Sequence, residues 1–115
     1  MKLVNRFAII ITPKQAFFDW INAIFPEFPE VDYSSTKHDI SKIYLIKERD
    51  GNFDVEKIVR KYFREICVNE IFEWCNDDDV VPKRLTWKLF EDLFDFSLQS
   101  MIIDLSDSIL LREDF

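Results

Sequence analysis

From Leu3 to Thr12 apolar residues occupy both alternating sets, with Leu3, Phe7, Ile9 and Ile11 on one side and Val4, Ala8 and Ile10 on the other. A breaker-free run rich in Ile, Val and Phe predicts a strand. Apolar residues on both of its faces place it at the centre of a sheet, covered on both sides. Thr12-Pro13 then reads as a helix start, with Thr as N-cap and Pro at the first helical position. Ala16, Phe17, Trp20, Ile21 and Ile24 follow at helical spacing. Pro26 and Pro29 stop that helix and open a polar stretch to Asp39. Alternation resumes over Ile40–Glu48, where Ile43 and Leu45 oppose Tyr44 and Ile46, and predicts a second strand.

Asp50-Gly51-Asn52 is a turn, and Asp54 is placed to cap a second helix that runs to about Cys75. Val55, Ile58, Val59, Tyr62, Phe63 and Ile66 form its first apolar stripe. Cys67, Ile71, Trp74 and Cys75 then lie about a third of a turn around. Either the helix bends near Val68, or its far end meets a different neighbour. Glu70 falls near the first stripe as that stripe ends, which calls for a buried structural pair with Lys or Arg. After an acidic loop over Asn76–Pro82, Thr86 is the expected N-cap of a third helix carrying Trp87, Phe90, Leu93 and Phe94 on one side. Leu98–Leu105 reads as a third strand, and residues 106–115 as a short edge strand or frayed tail. The pattern predicts a single α+β domain over residues 1–115. It is a two-layer arrangement in β-α-β-α-α-β order, with a three- or four-stranded sheet packed with three helices. The first strand–helix–strand unit is long enough for a right-handed parallel crossover, although antiparallel pairing stays open.

Composition removes whole classes of chemistry. Gly51 is the sole glycine among 115 residues, so no glycine-rich phosphate cradle or nucleophile elbow can exist. Twelve Phe, three Tyr and three Trp supply a dense core instead. A net charge of −7 and a pI near 4.7 disfavour nonspecific binding to nucleic acid or anionic membranes. Neither a signal peptide nor an apolar run of membrane-spanning length is evident. Cys67 and Cys75, eight residues apart on one expected helix, are too distant for a disulfide and suit a reducing cytoplasm.

Candidate sites are sparse. Asp77-Asp78-Asp79 lacks the alternate ligand spacing of a Ca²⁺ loop. His38 has no zinc-type partners, and Ser34-Ser35-Thr36 has no activating base beyond it, so no catalytic residue, metal or cofactor is assigned. Lys57, Arg60, Lys61 and Arg64 make one basic helix side, read as a solvated face without interleaved aromatics. Arg6 is odd inside an apolar strand and must reach solvent at an edge or pair with a carboxylate such as Asp19, Glu48 or Asp104. A ligand site would draw on Arg6, Lys14, Asp19 and Glu48. Phe18, Phe25, Phe72 and Leu89 sit off their helix stripes and mark spare apolar surface for a partner, a homodimer being the simplest.

Asn5-Arg6-x-Ala8, Pro13-Lys14-Gln15-x-Phe17-x-Asp19-Trp20, Tyr44-Leu45-Ile46-x-Glu48 and Glu70-Ile71-Phe72-Glu73 carry a further signal. With the helix around Phe90 and the apolar strand ending at Asp104, the chain resembles a group of short bacterial proteins of unknown function. It departs from that group in a longer proline-bearing linker and an extra C-terminal segment. The resemblance implies a bacterial cytoplasmic protein without an assigned activity. The expected function is a non-enzymatic, self-associating interaction module, with an acidic inhibitor of a basic enzyme as one version. The alternative is a small ligand-binding protein or enzyme with its site around Arg6, Lys14, Asp19 and Glu48.

Overall fold

The computed structural model describes residues 1–24, 26, 40–74 and 84–115. In chain order its elements are β1 (Lys2–Val4), β2 (Arg6–Pro13), α1 (Gln15–Ile24), β3 (Lys42–Lys47), α2 (Val55–Phe72), α3 (Trp87–Leu93), β4 (Phe94–Gln99) and β5 (Ile102–Asp104). The fold is α+β, with helices packed on a three-stranded antiparallel sheet of order β3-β2-β4. Phe7 faces Ile46 and Ile9 faces Tyr44 on one side; Ile9 faces Leu98 and Ile11 faces Phe96 on the other. Directly opposed residues share a face, so these side chains form one apolar surface. The first two strands of this sheet in chain order, β2 and β3, are antiparallel rather than parallel. The connection between them is long enough to return the chain in either sense, so its length does not choose between the two.

β2 is central, as its pattern predicts, but among the described residues its helical cover is one-sided. Ile9 and Ile11 are fully buried, whereas Ile43 and Leu45, on the opposite face, are 65% and 50% exposed. Ala8 is buried on that outer face because Leu45 and Gln99 flank it in the register.

Two expected strands each break. At Asn5 the chain bends, and β1 leaves the main sheet to pair with β5, Leu3 facing Ile103. The last strand likewise divides at Ser100, and its first half starts earlier than expected, at Phe94. Phe94, Phe96 and Leu98 alternate with Asp95, Ser97 and Gln99, the signature of a strand with one buried face. The expected Thr12-Pro13 cap is also corrected. Pro13 closes β2, where a missing N–H is tolerated, and α1 begins at Gln15. Lys14 N–H donates to Leu93 O at 2.8 Å, tying this junction to the end of α3.

The other two caps form as predicted. Asp54 Oδ1 accepts from Lys57 N–H at 3.3 Å, and Thr86 Oγ1 accepts from Leu89 N–H at 3.1 Å. Gly51, at φ 76°, supplies the left-handed turn between β3 and α2.

One core unites the layers. Phe94 lies 4.9 Å from Phe17 and 5.4 Å from Phe90, centroid to centroid, so α1, α3 and β4 meet ring to ring. The shifted stripe of α2 now has its cause. Its near end packs Phe63 against Trp87 and Phe90 of α3, while just beyond its far end Trp74 stands edge-on to Phe18 of α1 at 5.9 Å. Among the described residues no helix is long and apolar enough to cross a membrane.

Two substitutions gauge this core. Phe90→Ala, at a fully buried ring, is expected to cost about 3–5 kcal/mol. Thr86→Ala, which removes only a cap, should cost about 1 kcal/mol. Urea denaturation measures both, and equal costs would contradict the central place given to Phe90.

Candidate functional site

The densest polar chemistry lies where β3 meets α2. Alternation turns Lys42, Tyr44 and Ile46 of β3 toward the helices, because they oppose Ile11, Ile9 and Phe7. Helical spacing brings Cys67, Glu70 and Ile71 of α2 to the same seam, all buried. Glu70 is 1% exposed. Tyr44 Oη donates to its Oε1 and Lys42 Nζ to its Oε2, both at 2.9 Å. Asn69 Nδ2 donates to Tyr44 Oη at 2.9 Å, and Lys42 also pairs with the half-exposed Glu73. Each oxygen of the buried carboxylate therefore has its own donor, which a buried acid requires. The expected structural pairing of Glu70 is thus present, with Lys42 as the cation.

Proton affinities follow this burial. Desolvation raises the Tyr44 hydroxyl well above 10, and Glu70 adds to the effect. Burial, with Glu70 nearby, pushes the Cys67 thiol up to about 11. For Lys42, burial alone would lower the pKa, but the hydrogen bonds and charges of Glu73 and Glu70 outweigh it and the net direction is upward. A thiol held protonated is a poor nucleophile, so Cys67 serves as a small buried side chain. The network as a whole fastens α2 to β3.

An open groove of about 430 Å³ lies along this seam, bordered by Tyr44, Ile46, Tyr62, Ile66 and Asn69. A second, of about 420 Å³, continues past Lys42, Phe72 and Glu73. Phe115 borders both.

The expected ligand residues do not converge. Arg6 donates to Asn5 O and Oδ1 at 2.8 and 2.9 Å, at the bend between β1 and β2; its expected carboxylate pairing does not form among the described residues. Lys14 Nζ donates to Glu91 O at 2.7 Å and lies 3.8 Å from Asp95, placing a cation by the last turn of α3. Asp19 accepts from Gln15 Nε2 within α1 at 2.9 Å. Glu48 is exposed and borders an open groove with Lys47, Lys57 and Lys61.

Of the expected interface residues, Phe18 is corrected: at 1% exposure it is core, because α1 lies between the sheet and Trp74. Leu89 packs partly against the core, and Phe72 is half-buried beside the second groove. Phe25 lies outside the described residues, as do Ser34–Thr36, His38, Cys75 and Asp77–Asp79. The basic side of α2 does have aromatics beneath it, contrary to expectation. The Arg60 guanidinium stands 4.9 Å over Trp87 and that of Arg64 4.8 Å over Phe63, which holds both against the protein's own rings. Sequence reasoning missed Lys42, Tyr44 and Asn69; the inward parity of Lys42 and Tyr44 relative to Ile46 was the available signal.

No family model, curated protein or solved structure matches the chain.

The network predicts an asymmetry. Lys42→Met leaves Glu70 buried with a single donor and should cost about 3 kcal/mol. Glu70→Met leaves Lys42 paired with exposed Glu73 and Tyr44 bonded to Asn69, so it should cost about 1 kcal/mol or less. Urea denaturation of the two variants decides, and the reverse order would contradict the assignment.

Alkaline pH gives a second check. Lys42, Tyr44 and Cys67 all bind their protons more tightly folded than unfolded. Their contribution is complete below the unfolded values, the lowest being 9.0 for the thiol, and is lost as pH rises through the folded ones. Thermal melts from about pH 8 to about pH 11 should show a falling Tm. Tyr44→Phe should lower Tm at neutral pH and make the alkaline fall shallower.

Proposed function

We propose that the chain is a non-enzymatic interaction module that self-associates through the open face of its sheet, in the cytoplasm of a bacterium. The exposure of Ile43 and Leu45 on a sheet face that no described helix covers carries this reading. Ile10 lies beside Ile43 in the register and extends the same surface inward. A contiguous apolar surface of this kind has the composition of an interface core rather than of ordinary solvent-facing sheet. Its strands also carry polar partners, Ser97 and Gln99 on β4 and Lys47 on β3, which supply a rim. Two like-charged copies at −7 repel through their acidic surfaces, so an uncharged patch is where they can meet at least cost. The buried free thiol of Cys67 suits a reducing compartment.

Sedimentation equilibrium over the micromolar range tests the reading. The wild-type chain should dimerise. Leu45→Lys, at a half-exposed position, should keep the circular dichroism spectrum of the wild type and shift the protein to monomer. A wild-type chain that stays monomeric at tens of micromolar would contradict it.

A further inference from the structure

We propose that Leu105–Phe115 is an arm exchanged between two copies, each arm lying along the β3–α2 side of its partner. This rests on the self-association just described and names the contact that completes it. The arm follows β5, has no regular structure, and is exposed throughout. Ile109 is 86% exposed, Leu110 63% and Leu111 84%. Three consecutive aliphatic side chains left in water are a cost that burial against apolar surface would remove.

The matching surface is present in the same molecule. β3 is an edge strand whose outer side has no strand partner among the described residues, and Ile43 and Leu45 project from it. Edge strands accept an added extended segment through their free backbone groups. Extended, the arm spans roughly 36 Å, ample for the length of β3. Charge agrees with shape. Asp107, Glu113 and Asp114 outnumber Arg112 on the arm. Lys47, Arg49, Lys57 and Lys61 outnumber the acids along the open groove that begins at the end of β3. The groove also carries Glu48, Asp50 and Asp54, so its lining holds an excess of one cation in a chain of net charge −7.

A second copy is favoured over closure within one chain by what the arm leaves undone. Phe115 borders its own β3–α2 groove, yet its ring is fully exposed and Ile43 and Leu45 stay uncovered. Reciprocal exchange about a two-fold axis pairs both arms with both β3 edges in one self-complementary contact.

Sedimentation equilibrium of the full chain tests this, using Leu110→Lys/Leu111→Lys, Glu113→Lys/Asp114→Lys and Leu45→Lys, each checked for an unchanged circular dichroism spectrum. Both arm variants should dimerise more weakly than wild type, the apolar one by roughly tenfold or more. If Leu45→Lys breaks the dimer while both arm variants leave it intact, the arm exchange is overturned and self-association through the face stands. If the arm variants weaken the dimer and Leu45→Lys does not, the exchange stands and the face reading falls. A monomeric wild-type chain overturns both.

Discussion

A central strand that is apolar on both faces, with the described helices packed on only one, is the constraint from which the rest of this structure follows. The rings of Phe17, Phe18, Phe63, Phe90 and Phe94 crowd the inner face, where they join one core with Ile9 and Ile11. Those rings are large, and the helices and strand β4 that carry them complete their burial against one side of β2. Ile43 and Leu45 on the other side have no such layer among the described residues and stay exposed. The imbalance is thermodynamic as well as geometric. The inner layer gathers the buried apolar residues into one core, while Ile43 and Leu45 stay exposed on the outer face.

Joining the layers requires more than apolar contact, and the seam between β3 and α2 shows how it is done. Glu70 would be a costly residue at a fully buried site were its two oxygens not each met by a donor from β3. Because Lys42 and Tyr44 lie on the same side of one strand, a single register sets both bonds. A slip by one residue would turn both donors outward and strand the carboxylate. The network therefore specifies how α2 sits on the sheet, a role that apolar residues with interchangeable contacts fill less sharply. Lys14 does a related task at the other end of the molecule, where its side chain meets Glu91 O and its backbone N–H meets Leu93 O. Two lysines that look like surface residues in a list of charges thus hold junctions between elements.

The separation of basic and acidic groups bears on association. Arg60 and Arg64 rest on rings of the chain itself, which spends their stacking capacity internally. Lys47, Arg49, Lys57 and Lys61 remain along the groove next to the open face.

Local chemistry made much of this legible beforehand. The caps at Asp54 and Thr86, the turn at Gly51, the central place of β2 and the α+β layering follow from residue type and periodicity, because caps, turns and amphipathic faces depend on neighbours within a few positions. The buried pairing of Glu70 was also legible, since a carboxylate near an apolar stripe needs a partner wherever the fold goes. The identity of that partner was not: Lys42 and Glu70 are far apart in the chain, and only the packing of β3 against α2 brings them together. Phe18 shows the same limit from the other side, because an off-stripe ring is exposed or buried according to whether a neighbour such as Trp74 arrives. The antiparallel sense of β2 and β3, the breaks at Asn5 and Ser100, and the bare outer face of the sheet were likewise decided by tertiary structure. Each depends on which surfaces compete for a limited number of helices, and no single segment contains that information.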